Sequence, residues 1–431
     1  RKSFLRVFAY LLLALNLAYA LPAPGLVQHT DGGSYACRRS FGYGVYDSKA
    51  QQTVISWSGE KMSIYVRAFD HKSGQWSPKA LIQKLNYTSL YDYHNYVTIA
   101  QAPDGHYLLF YFNHSKSAYL LKSPAPHVIT GEWTHRKISD DFTAYPMPVV
   151  TDNAVYLFYS STVAKWHRPY RMTASFDSGE SWSAPITLIT TGHKEPELYD
   201  EVYAHGYAVD AGEGDQADRI LIGWEMAAGP NGHNQGSYGN YFAYYDCGDG
   251  QMYNAGGKAL GSTIELNELF DDCMINNAKD PMTRIFGYTT FPEVLPDGRY
   301  AVVYNSRGQG SYIATWEDTH WDTKPLKIEN GPKDYQRTPW GTYLIISGWG
   351  LNVDVWESTN GVTDWRKIST TLIPSNKGND RINKAFIDNF HPQVLWQADS
   401  YRRELRQSDY SGSWPVFTYG NSSIGTLGSS E

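Results

Sequence analysis

The feature that most constrains this chain is a unit recurring roughly every fifty residues, a period typical of stacked repeat architectures. Each copy reads as an apolar strand, a turn, a second strand rich in Tyr, Phe and Trp, and an Asp/Gly-rich turn ending in Trp. The clearest copy runs from Tyr145 to Leu188. Val155 to Tyr159 forms its second strand and Tyr170 to Ser175 its third. The octapeptide Ser175-Phe-Asp-Ser-Gly-Glu-Ser-Trp182 fits the Asp-box pattern S-x-D-x-G-x-[ST]-W. There Asp177 is expected to cap the turn, Gly179 to take a positive φ, and Trp182 to pack between sheets. Degenerate copies span Val54 to Trp76, His94 to Trp133, Val202 to Tyr253, Thr290 to Trp316 and Trp340 to Trp365. A last copy, His391 to about Phe417, is short of a strand, which the segment before Tyr43 is expected to supply, closing a ring.

Seven such units predict an all-β fold, a seven-bladed antiparallel β-propeller forming a single domain over residues 21–419, with 420–431 a flexible C-terminal tail. The alternative is a β-sandwich followed by another all-β domain, but sandwiches do not repeat Trp-ended hairpins at a constant period. A 15% aromatic content with 38 Gly and 21 Pro suits short strands and many turns, and leaves no disordered bulk. The net charge of −7 argues against a nucleic-acid partner, which demands a basic face.

Residues 1–20 read as a secretory signal peptide. Arg1, Lys2 and Arg6 open it, Phe8 to Leu17 are its apolar run, and Ala18-Tyr19-Ala20 its cleavage site. That run is too short to span a bilayer, so the expected product is secreted and extracellular, with no membrane partner. Secretion permits disulfides. Of Cys37, Cys247 and Cys273, the pair Cys247 and Cys273 closes the more local loop and leaves Cys37 over. Sequons stand at Asn86, Asn113 and Asn421, the second beside His114.

Chemistry is expected at one hairpin. Val97, Ile99 and Ala100 lie in its first strand, Pro103-Asp104-Gly105 turns it, and Leu108 to Phe112 form its second strand. An antiparallel hairpin brings its open ends together, so His94 and His114 should lie side by side at one mouth of a propeller channel. The next unit adds Tyr145, Tyr159, Lys165, His167 and Arg171, the following one His205, His233 and Asn234, and a later one Arg307. Taken singly each has a bland reading: His94 as a turn cap, Tyr159 as core, Arg171 as an ion-pair partner. Together they suit proton transfer near an anionic substrate. Loops such as Gly229 to Tyr238 and Ser375 to Asp388 are expected to wall the channel.

Other chemistries fit less well. The chain has no Gly-rich phosphate loop, no G-x-S-x-G elbow and no H-E-x-x-H or C-x-x-C zinc spacing. A sialidase-like glycoside hydrolase would need a carboxylate pair, and Asp200, Glu201 and Glu225 are the only acids near the expected rim. A carbohydrate-binding propeller without catalysis predicts equivalent sites on every blade, whereas this cluster belongs to two or three adjacent ones.

Tyr91-Asp-Tyr-His-Asn95, the Pro-Asp-Gly turn, Phe110-Tyr111, His114, Ser123-Pro-Ala-Pro and Trp133 resemble one blade of the ulvan-lyase-like propeller polysaccharide lyases. The resemblance continues through Tyr145-Pro-Met-Pro148, Tyr156 to Tyr159, Tyr170-Arg171 and the Asp-box, covering about Val54 to Thr263. The leader and the Leu-Pro-Ala-Pro after it point towards the fungal L-rhamnose-α-1,4-D-glucuronate lyases, which act on gum arabic side chains, with ulvan lyase as the alternative. The resemblance implies a syn β-elimination at C4–O4 of the glucuronate, leaving a 4,5-unsaturated product. His114 and Tyr159 would be the proton-transfer pair, in an order the residues leave open, with His94 beside them and Arg171 neutralising the carboxylate. Asn95, His233 and Arg307 would contact substrate. The expected partner is an acidic polysaccharide with rhamnose–glucuronate linkages, taken up by a monomer. No cofactor is required, and a structural calcium or zinc is left open.

Overall fold

A computed structural model of the chain describes residues 25–33, 42–85, 96–112, 117–140, 142–161, 168–191, 201–214, 216–227, 237–276, 289–306, 310–348, 352–372, 381–386, 393–399 and 414–420. The described strands fall into seven antiparallel sheets of four or five strands, numbered below in chain order. The second runs Thr98–Gln101, Tyr107–Phe112, Ala118–Lys122, Thr134–Ser139, and the third Phe142–Val150, Val155–Ser161, Tyr170–Ser175, Ile186–Ile189. The first begins at Gly44–Asp47, the fourth at Glu201–Asp210, the fifth at Thr289–Val294 and the sixth at Pro332–Arg337. First strands of neighbouring sheets pack on one another, so the sheets stand side by side as in a propeller.

The seventh sheet joins the two ends of the described chain. Arg381–Phe386, Gln393–Asp399 and Trp414–Gly420 are followed in space by Gly25–Gly33, with Gly25 opposite Gly420 and Leu26 opposite Tyr419. The N-terminal segment therefore supplies a strand, as the short last repeat requires. One expectation changes: Arg381–Phe386 is the first strand of this sheet and not part of a channel-walling loop.

Sandwiching explains why strands such as Val155–Ser161 are apolar on both faces. Val155, Leu157 and Tyr159 pack with Leu108, Phe110 and Phe112 of the second sheet. Tyr156 and Phe158 pack the other way, in one cluster with Ile220, Ile222 and Trp224 of the fourth. Fully burying a side chain such as Leu157 contributes about 1.5–3 kcal/mol. Where the fourth and fifth sheets meet, backbone touches backbone: a Cβ on Gly223 would lie 2.4 Å from the Thr290 carbonyl oxygen.

The turns follow their chemistry. Gly105 has φ 91° in the Pro-Asp-Gly turn, and its N–H donates to the Ala102 carbonyl at 2.8 Å. In the Asp-box, Gly179 has φ 92° and its N–H donates to Ser175 Oγ at 2.7 Å. Ser175 Oγ donates to Asp177 Oδ1 at 2.8 Å, which also accepts from Ser181 N–H at 2.8 Å. Trp182 meets Phe110 edge-on, 5.7 Å between centroids. The Ser181 hydroxyl, which donates to Asp177 Oδ2 at 2.5 Å, and then these backbone and Ser175 hydrogen bonds hold the Asp177 carboxyl down at about 2.

A second box went unread in the sequence: Ser358-Thr-Asn-Gly-Val-Thr-Asp-Trp365, whose glycine stands one position early. Asn360 Oδ1 accepts from Val362 and Thr363 N–H at 2.9 and 2.8 Å, and Gly361 N–H donates to Ser358 Oγ at 2.9 Å.

The expected Cys247 to Cys273 disulfide is absent, and both are free thiols. The Cys247 thiol is engaged with the Tyr156 hydroxyl, and Cys273 is buried in the core. Cys37 and the sequons at Asn86, Asn113 and Asn421 lie outside the described residues, as do residues 1–20. Among the described residues no helix is long and apolar enough to cross a membrane.

Ser175→Ala should lower the unfolding free energy by about 1–2 kcal/mol, because it strands the buried Gly179 N–H. Urea titration would show this as a lower midpoint at unchanged slope. An unmoved midpoint would mean that the Asp-box does not stabilise its sheet.

Candidate active site

Two of the residues singled out for chemistry are brought together. The ladder between Val155–Ser161 and Tyr170–Ser175 is regular from Val155 opposite Ser175 to Ser160 opposite Tyr170, and it sets Tyr159 directly across from Arg171. Directly opposed residues share a face of the sheet. Tyr159, 1% exposed, packs in the cluster facing the second sheet, which includes Phe112. Phe112 is the last residue of the strand whose sequence continues to His114. The pair therefore faces the sheet whose hairpin carries both histidines in sequence.

The opposite edge of Val155–Ser161 is irregular. Ala144 pairs with Ser160 and Met147 with Phe158, so Tyr145 and Pro146 together stand opposite Tyr159. This two-for-one step is a β-bulge. Tyr145 takes φ 66°, is buried, and its ring approaches Tyr203 of the fourth sheet at 5.8 Å. Such a left-handed conformation in a non-glycine residue costs of order 1–3 kcal/mol and persists only where the surroundings impose it.

The start of the fourth sheet carries buried charge. Arg168 Nε lies 3.4 Å from Glu201 Oε1, the Tyr203 hydroxyl donates to Glu201 Oε2 at 3.1 Å, and the Arg168 carbonyl accepts from Val202 N–H at 3.2 Å. His205, the extra residue where Ala204 pairs with Trp224 and Gly206 with Gly223, places Nε2 3.1 Å from Glu225 Oε1. Glu201 and Glu225 thus each lie against a cationic or imidazole partner. Sequence reasoning noticed both acids and missed Arg168, because a single arginine in the connection between two strands of one repeat carries no pattern; only the neighbouring sheet gives it a partner.

A cavity of about 890 Å³ occupies the other end of the channel, where first strands turn into second strands. Gln101, Val150, Asp210, Glu293, Asp334 and Arg337 line it. It takes the Val150 end of the third sheet's first strand, whereas Tyr159 stands opposite the Tyr145 end, so its acids are remote from the Tyr159–Arg171 pair. Among the described residues no group of three His, Cys, Asp or Glu side chains suits a metal ion. His94, Asn95, His114, His233 and Arg307 lie outside the described residues, as do Lys165, His167 and Asn234.

The sequence profile of the BNR repeat-containing family covers residues 52–327, and the chain is a member of that family. It is 25% identical over 236 residues to Ulvan Lyase-PL25 of Pseudoalteromonas sp. (strain PLSV), a match covering 48% of this chain and 47% of that protein. The chain thus spans about half the length of the curated relative it matches. A solved ulvan lyase of polysaccharide lyase family 25 superposes with a TM-score of 0.72 at 16% identity, covering 92% of this chain and 96% of that one. A structure bound to -[GlcA(1-4)Rha3S]- gives 0.68 at 16% identity over 91% and 96%. The polysaccharide lyase Uly1 gives 0.61 at 12% identity over 93% and 99%. At these identities the structural likeness is one of fold.

Burial pushes the Glu293 carboxyl up to about 7 from an ordinary 4.5, although the Arg337 N–H donates to it at 2.9 Å. The folded protein keeps this proton where the unfolded chain has lost it, so the associated stability is full below about pH 4.5 and is lost as pH rises through about 7. Glu293→Gln should therefore stabilise the protein at about pH 8, by up to roughly 3 kcal/mol, and make little difference at about pH 4. Equal effects at both pH values, read from urea midpoints, would contradict a raised carboxyl.

Proposed function

We propose that this protein is a polysaccharide lyase that cleaves a rhamnose–glucuronate linkage of the ulvan type by β-elimination. The carrying observation is the Tyr159–Arg171 pair, set directly opposite on a regular ladder and turned towards the sheet of the His94 and His114 hairpin. The partial match to an ulvan lyase supports the substrate class. It favours the ulvan branch over the gum arabic side chains that the leader suggested.

The chemistry sets the requirements. The C6 carboxylate of a uronate acidifies its C5–H, since the carbanion delocalises into the carboxyl. Arg171 would neutralise that carboxylate and stabilise the charge that develops as the proton leaves. One member of the His114 and Tyr159 pair takes the C5 proton. The C4–O4 bond then breaks, its electrons going to O4, which receives a proton from the pair, and a C4=C5 double bond remains. In D-glucuronate C5–H and C4–O4 lie on the same side of the ring, so the elimination is syn and one face of the site serves both transfers. His94 would stand beside the pair, with Asn95, His233 and Arg307 as substrate contacts.

Each of the seven sheets is read as one blade, supported by the packing of neighbouring first strands. Secretion rests on the basic, apolar and Ala-Tyr-Ala pattern of residues 1–20 and suits a polymer found outside cells.

Digesting ulvan and gum arabic side by side should yield the ultraviolet absorbance of an unsaturated uronate, with ulvan the better substrate; sugar release without that chromophore would indicate a hydrolase instead. Tyr159→Phe should lower kcat by about 10²–10⁴ with an unchanged melting curve. Arg171→Ala should cost about 3–4 kcal/mol of transition-state stabilisation. Near-normal turnover in either variant would remove that residue from the mechanism.

A further inference from the structure

We propose that Tyr145 is a positioning residue for Tyr159, acting through the bulge that it forms with Pro146; this rests on the lyase reading above. Tyr159 has a direct ladder partner on one side only, Arg171 of Tyr170–Ser175. On its other side two residues, Tyr145 and Pro146, occupy the space of one. A bulge adds local twist and re-aims side chains beside it. The orientation of Tyr159 is thus set by a regular neighbour that fixes its pairing and an irregular one that sets the local twist.

The local sequence does not ask for this conformation. A bulky residue with φ 66° is uncommon, and a following proline further restricts its backbone. Burial against the next sheet holds it. Tyr145 is 1% exposed, and its ring stands edge-on to Tyr203 at 5.8 Å with an interplanar angle of 61°. Ala144 and Met147, on either side of the bulge, belong to the same core cluster as Tyr145 and Tyr203. Removing the ring takes away that hold, and the first strand can then relax towards regular pairing opposite Tyr159. A proton-transfer group works only within about 0.5 Å of its productive position, so relaxation of that size falls on turnover more than on binding.

The test compares Tyr145→Phe, which keeps the ring, with Tyr145→Ala, using a rhamnose–glucuronate oligosaccharide as probe. Tyr145→Phe should stay within about threefold of wild-type kcat, whereas Tyr145→Ala should lose about tenfold or more with KM changed less than about twofold. Should Tyr145→Ala not fold, Tyr145→Gly, which suits a left-handed backbone, takes its place under the same criterion. A second readout needs no turnover. With ¹³Cζ-labelled tyrosine, the Tyr159 resonance, assigned by its loss in Tyr159→Phe, should move in the ring-deleted variant and stay in Tyr145→Phe. An unmoved resonance, or a kcat within about threefold of wild type in the ring-deleted variant, overturns the proposal. If the wild-type protein turns over no rhamnose–glucuronate probe, the lyase reading fails, and the resonance alone decides the role of Tyr145.

Discussion

Closure of the seventh sheet is the interaction on which the other sheets depend. Gly25–Gly33 pairs with Trp414–Gly420, so strands from opposite ends of the described chain share one hydrogen-bonded ladder. Strands such as Val155–Ser161 are apolar on both faces because each face packs on a neighbouring sheet. A sheet without its neighbour would present one of those faces to water, at roughly 25 cal/mol for every Å² uncovered. Tying the last sheet to the first segment of the chain is the covalent economy of a ring: no sheet has to stand at an open end.

Within that ring, the ladders differ in regularity. Second and third strands make even ladders in most sheets, as between Val155–Ser161 and Tyr170–Ser175, with a shift between Glu225 and Met226 in the fourth. Three first strands are interrupted: beside Tyr145 in the third sheet, at His205 in the fourth and at Lys333 in the sixth. Each interruption is a β-bulge with one extra residue on the first strand. They place polar groups at positions that strict alternation would turn elsewhere, as with His205 against Glu225.

The hairpin turning at Gly105 and the Asp-box at Ser175 to Trp182 were legible because their signals are local: a glycine free to take positive φ, a carboxylate within reach of its own turn, and a Trp at a fixed offset. The two strands that carry Tyr159 and Arg171 were legible in the same way, but their facing was not, because it depends on the register in which the strands pair. The Ser358 to Trp365 box escaped because Asn360 does the work of the aspartate and the glycine is displaced by one position. The strand Arg381–Phe386 escaped because it carries Arg, Asn and Lys among its apolar residues, and its strand character comes from pairing with Gln393–Asp399. The Cys247 to Cys273 pairing was drawn from nearness in sequence, and nearness in sequence does not bring two thiols into bonding position.

From the sequence by itself came the period of the repeat, the antiparallel strands, the turn chemistry and the closing N-terminal strand. These depend on alternation and on turns a few residues long, which the order of side chains encodes directly. Only the tertiary structure decided that Tyr145 stands bulged against Tyr203, that Arg168 holds Glu201, and that the acids around Glu293 gather at the far end of the channel. Each depends on what an adjacent sheet presents, and the neighbour that buries a ring or completes an ion pair lies tens of residues away along the chain.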